Sequence, residues 1–181
     1  MRISRLAVAV TVVVSMSSVA PPAGAGEQQF SGSFAGSIIS TTIDTNDNHL
    51  PAVLFIGRGK TNFGLTTFQS VSEALERLPE VNACPKGNLE FPWLMGHGII
   101  QFDDSLDQLF IKLTAGVACS DPVAKTFTSN GKGVFEGGTG RFANATGSFE
   151  TTSTGRPLVM DRAGHEFDSM TGQFTGIIIT P

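Results

Sequence analysis

"GVFEGGTGRFANATGSFE", Gly133 to Glu150, holds five glycines, apolar residues at Val134, Phe135, Phe142 and Phe149, and little charge. Glycine within a strand marks a bulge, a sharp bend or the close approach of another backbone. Barrel strands must bend and tilt, and glycine lets them coil. The stretch therefore reads as a tightly bent corner of a β-barrel. Gly137, Gly138, Gly140 and Gly147 are its structural glycines, with "GGTG" as a turn or bulge. Val134 and Phe135 belong to the strand before the corner, and Phe142 to Phe149 to the strand after it. A phosphate-cradling loop would need a helix to follow, and "RFANATGSFE" does not read as one.

The strand pattern extends outward from this corner. Apolar residues alternate with polar ones over short runs broken by Gly, Asn, Asp and Ser. In "KTNFGLTTF", Phe63, Leu65 and Thr67 share one face. In "QLFIKLT" it is Leu109, Ile111 and Leu113, and in "VAKTFTS" Val123, Lys125 and Phe127. "FDDSLDQ", Phe102 to Gln108, reads as a hairpin turn, since Asp and Ser stabilise turns through local hydrogen bonds. "SVSEALERLPE" is more ambiguous. Val71, Leu75 and Leu78 have helical spacing, and Ser70 with Glu73 would form a capping box. The favoured reading continues the strand and then enters a loop through "VNACPKGNLEFPW".

Near the two ends, "GSFAGSII" (Gly32 to Ile39) is echoed by "GQFTGIII" (Gly172 to Ile179). Two similar strands at opposite ends of one domain lie side by side if the sheet closes, and closure removes free edges. The predicted fold class is an all-β, antiparallel, closed barrel of about eight strands, with at most one short helix.

At Gly137, Gly138, Thr139, Gly140 and Phe142 the sequence resembles the allene oxide cyclase-like and dirigent-like barrel group, whose hallmark is Gly-Gly-Thr-Gly-x-Phe. The closing "GQFTGIII" also looks like the last strand of such proteins, and the match covers roughly the last third of the chain. The resemblance implies a calycin-like, eight-stranded barrel with an apolar interior, related in shape to ligand carriers. By analogy it also implies a homo-oligomer. It carries no catalytic residue across.

The N-terminus has the three parts of a secretory signal peptide: Arg2 and Arg5, the apolar run Leu6 to Val14, and Ala23-Gly24-Ala25. The run is shorter than the ~20 residues of a membrane span. Cleavage after Ala25 leaves residues 26–181 as a single barrel domain, and loss of Arg2 and Arg5 takes the formal charge from −4 to −6. An acidic chain without a basic cluster is a poor partner for nucleic acid. The expected location is secreted or periplasmic. There, Cys84 and Cys119 form one disulfide, contributing roughly 3–4 kcal/mol in the chain-entropy model.

Catalytic and metal motifs are scarce. His49, His97 and His165 lie far apart, and "HEFD" at His165 lacks the second histidine of a zinc helix. "DTNDNH" at Asp44 begins like a calcium loop, but His49 and Phe55 stand where glycine and glutamate are required. "GRGKT" at Gly57 lacks the earlier glycine of a nucleotide loop, Leu54 standing there. No Gly-x-Ser-x-Gly elbow occurs. Asp103 and Asp104 fall in the predicted turn, and Asn144-Ala145-Thr146 forms a glycosylation sequon. No catalytic set, metal site or cofactor is expected.

All 14 phenylalanines follow Ala25. Most pack the core, and Phe34, Phe63, Phe142 and Phe174 are the candidate lumen residues for a small apolar ligand. The leading expectation is a non-catalytic exported barrel holding such a molecule. Two alternatives stay open: a cyclase- or isomerase-like enzyme acting on a lipid-derived substrate, and a structural or protein-interaction barrel without a ligand.

Overall fold

Eight antiparallel strands carry the alternating pattern: β1 (Gly26–Ser40), β2 (Ala52–Thr61), β3 (Gly64–Ala74), β4 (Leu89–Phe102), β5 (Gln108–Asp121), β6 (Thr126–Gly138), β7 (Thr146–Met160) and β8 (Glu166–Thr180). The structure, a computed structural model, describes residues 26–41, 44, 52–74, 83–160 and 166–181. Each strand pairs with the next in sequence, and β8 pairs back with β1 to close the barrel. The echo segments make that seam, with Gly32 opposite Phe174 and Ile38 opposite Asp168. As the repeated spacing requires, Phe34 and Ile38 share the inner face with Phe174 and Ile178.

The glycines have a second role beyond bending. Residues paired across strands share a face, so one inward row runs Phe30, Gly176, Phe149, Gly133 and Leu113 around the wall. At Gly133, Gly155 and Gly172 the missing side chain leaves a socket for a neighbouring ring, that of Phe149, Phe127 and Phe34 in turn. A Cβ at Gly133 would lie within 2.6 Å of both the Lys112 carbonyl oxygen and the Phe149 ring. Large and absent side chains thus alternate around the interior, and this lets so many phenylalanines fit one narrow lumen.

The Gly133–Glu150 corner is built as a bulge, a turn and a short helix. Leu109 pairs with Gly138 while Ile111 pairs with Phe135, so two residues, Glu136 and Gly137, oppose Phe110. Gly137 adopts φ 93° and Gly140 φ 54°, left-handed values that favour glycine. Phe142 departs from the expectation that it begins the next strand: it sits in a single-turn 3-10 helix, Gly140–Phe142, and β7 starts at Thr146. The reason is packing. Phe142 is 1% exposed and stacks on Phe102 at 4.6 Å between ring centroids, plugging that end of the barrel. The Arg141 guanidinium lies 4.8 Å from the Phe102 ring and 5.1 Å from Phe142, and pairs with Asp104 at 3.1 Å and Asp107 at 3.5 Å.

Two strand readings shift at their edges. Phe63 lies in the tight β2–β3 turn rather than on a face with Leu65 and Thr67. Val123 and Lys125 fall in the turn before β6, where the Asp121 carboxylate accepts bonds from the Val123 and Ala124 amides. "FDDSLDQ" is a hairpin turn as read, and β3 continues through Ser70 and Glu73 as a strand. Leu75 and Leu78 lie outside the described residues. Cys84 and Cys119 are disulfide-bonded, which ties the segment before β4 to β5.

Candidate functional site

The lumen divides into two parts. At the end sealed by Phe142, inward side chains pack without exposure. Phe30, Phe34, Phe68, Phe102, Phe135, Phe149 and Phe174 are each at most 6% exposed, with Ile100, Leu109 and Ile178 between them. Their rings form one network, for example Phe34–Phe174 at 4.7 Å and Phe68–Phe174 at 5.2 Å. This half is filled by side chains.

Toward the opposite end, inward positions become half-buried. Ile38, Phe127, Ser129, Asp168 and Met170 are all of this class. Register places them on one inner surface: Ile38 opposite Asp168, Met170 opposite Gly155, and Gly155 opposite Phe127. By the same pairing the exposed Phe91 of β4 shares the face of Ala118 and Ser129. Ser129 and Ser153 hydroxyls are hydrogen-bonded at 2.6 Å. Above Phe34, Phe55 and Phe174 the inner face thus brings together apolar side chains, a hydroxyl pair and the Asp168 carboxylate. The Oδ1 of Asp168 is sequestered from solvent.

The sequence-selected phenylalanines fall in different places. Phe34 and Phe174 meet in mid-lumen, beneath that part of the inner face. Phe63 and Phe142 meet 5.8 Å apart at the sealed end, and Phe30 links the two pairs, 5.9 Å from Phe63 and 6.4 Å from Phe174. Asp168, Ser129 and Ser153 were not selected. Counting back in twos from Phe174 through Gly172 and Met170 reaches Asp168, so strand parity alone would have found it. The serines carried no such signal, because "TSN" and "TTST" offer hydroxyls on both faces.

Other candidates lie elsewhere. His97 is on the outer wall, 3.6 Å from Glu136; His49 and His165 are outside the described residues, as is the Asp44–His49 stretch apart from Asp44. Gly57 to Thr61 form part of β2 and no loop. Asp103 reaches Arg58 at 3.5 Å. Among the described residues no group of three or more His, Cys, Asp or Glu is placed to hold a metal, and no helix there is long and apolar enough to cross a membrane.

No family model and no curated protein matches the chain. Among solved structures it is similar to the pterocarpan synthase dirigent protein PsPTS1, at 11% identity and a TM-score of 0.43, covering 85% of this chain and 95% of that one.

Proposed function

We propose that this protein is an exported barrel that holds one small, largely apolar molecule in the vestibule above its phenylalanine plug. The division of the lumen carries this reading. The inner face changes from fully buried rings to half-buried Ile38, Phe127 and Met170 within one continuous surface. Apolar side chains left half-buried inside a barrel mouth are completed by an apolar guest. The disulfide favours an oxidising compartment and so agrees with export.

Native mass spectrometry of the protein purified from its host's exported fraction tests the reading. The expected result is a mass above that of the polypeptide, which denaturation removes. Ser129→Leu, which fills the vestibule, should abolish that excess while the fold survives. A bare mass at every charge state, with no uptake of an environment-sensitive apolar fluorophore, overturns it.

Asp168 favours a second reading, a cyclase- or isomerase-like activity on a lipid-derived substrate. Orientation in a shaped cavity together with one carboxylate is enough for such chemistry. Here Asp168→Asn should keep the bound mass and abolish turnover. Loss of both together would leave the carboxylate a binding role only.

A further inference from the structure

The two ends of the barrel differ in what surrounds their exposed apolar side chains. At the end opposite the Phe142 plug, β4, β6 and β8 begin and β5 and β7 finish. The rim over these five adjacent strands carries Leu89, Phe91, Val123, Leu158 and Phe167, all exposed. Val123 is 91% exposed in the β5–β6 turn, and Leu89, Phe91 and Leu158 are each more than half exposed. Cations flank these tips along the chain. Lys125 lies two residues from Val123, Arg156 two from Leu158, and Lys86 three from Leu89. All three are exposed, and no ion pair among the described residues engages them. The nearby Glu90 and Asp121 accept backbone amides instead, from Ala83 at 3.2 Å and from Val123 and Ala124. At the sealed end Leu65 and Leu106 are also exposed, but their neighbours are acidic. Leu106 shares the β4–β5 connection with Asp103, Asp104 and Asp107, which take up Arg58 and Arg141, and the Asp103 amide donates to the Leu65 carbonyl.

We propose that this rim docks on a phospholipid bilayer, with its apolar tips in the acyl boundary and Lys86, Lys125 and Arg156 at the headgroup phosphates. Exposed apolar tips bracketed by cations match an interface whose interior is hydrocarbon and whose surface carries phosphate. The chain is acidic overall, so attraction to a charged surface does not drive the docking. Insertion of apolar surface does, and each cation meets the phosphate that every phospholipid bears, whatever its net charge. The carboxylates at the sealed end are repelled by the same phosphates, which sets the orientation, open end toward the lipid. Docked in this way, the half-buried apolar inner face opens onto hydrocarbon, and an apolar molecule passes between bilayer and barrel without crossing water. The docking rests on the rim alone and stands whether or not the lumen holds a guest.

Co-sedimentation of the mature protein with phosphatidylcholine vesicles tests this. The wild type should partition onto the vesicles. Val123→Ser and Leu158→Ser should each weaken the partitioning by roughly fivefold or more, the scale of one exposed aliphatic side chain taken out of water. Lys125→Gln should weaken it as well. Leu106→Ser removes an equally exposed side chain from the sealed end and should bind as the wild type does. Circular dichroism confirms that each variant is folded; a rim variant that is not is replaced by Phe167→Ser. A wild type left in the supernatant, binding that requires phosphatidylglycerol in the vesicles, rim variants that bind as the wild type does, or an equal loss in Leu106→Ser would each overturn the proposal. Native mass spectrometry bears on the guest alone: a bare mass there, with vesicle binding here, sinks the guest and keeps the docking.

Discussion

Adding a single methyl group to Gly133 should destabilise the barrel about as much as removing a large side chain. The Cβ of Gly133→Ala would fall onto the Phe149 ring and within 2.6 Å of the Lys112 carbonyl oxygen. The ring has little room to yield, since Phe149 is 2% exposed and packs on Phe135 at 5.2 Å and Phe174 at 5.8 Å. Overpacking of a dense core costs about 1–3 kcal/mol, and the backbone contact should bring this substitution to the upper part of that range. At ~2–4 °C per kcal/mol for a domain of this size, the melting temperature should fall by roughly 4–12 °C. Urea denaturation gives the free energy, and a double-mutant cycle isolates the cause. Phe149→Leu alone creates a cavity and is destabilising. In the Gly133→Ala, Phe149→Leu double variant the shorter side chain relieves the clash with the methyl. The two costs should then fall short of additivity by about 1 kcal/mol or more. Strict additivity, within about 0.3–0.5 kcal/mol, would refute the account of Gly133 as a socket for that ring.

Two further outcomes are expected. Cys84→Ser, or reduction of the wild type, should lower stability by about 3–4 kcal/mol in the chain-entropy model, and alkylation of the unreduced, denatured protein should label no cysteine, because Cys84 and Cys119 are bonded. Arg141→Met should keep the fold but lose roughly 1–2 kcal/mol, read by thermal denaturation, as the stacking on Phe102 and Phe142 and the Asp107 pair disappear.

Closure of the sheet could be read from the echo of Gly32–Ile39 in Gly172–Ile179, because neighbouring strands of a barrel meet equivalent surroundings. The disulfide followed from cysteine count and compartment. The role of the inward glycines did not. A strand sequence shows where a side chain is missing, but only register shows which ring fills the space. Phe142 was misassigned for the same reason. The run from Phe142 to Phe149 has no helical pattern and so reads as a strand, yet burial against Phe102 and Phe63 pulled Phe142 into a helical turn that no local propensity announces. Asp168 was legible in principle, two steps of two from Gly172. Carboxylates in short polar runs usually face solvent, so the run itself gives no sign that Asp168 points inward. The outer wall was hidden most deeply, since Ile56, Gln69, Ile99 and Phe110 fall in one row only once three hairpins are aligned.

The β1–β8 seam also shapes how the chain reaches its native state. It joins Gly26 to Thr180, the longest sequence separation in the barrel, whereas every other strand pair joins neighbours along the chain. Pairings of long contact order form late, because the entropy of closing the intervening loop precedes any gain from contact. Until then β1 and β8 are both free edges, and both carry the echoed stretch, Gly32–Ile39 and Gly172–Ile179. The β8 of one open chain therefore meets, in the β1 of another, the same partner it would find in its own. The seam that completes one barrel is thus also the place where two incomplete barrels exchange strands, and slow refolding at high concentration should yield swapped dimers locked by that pairing.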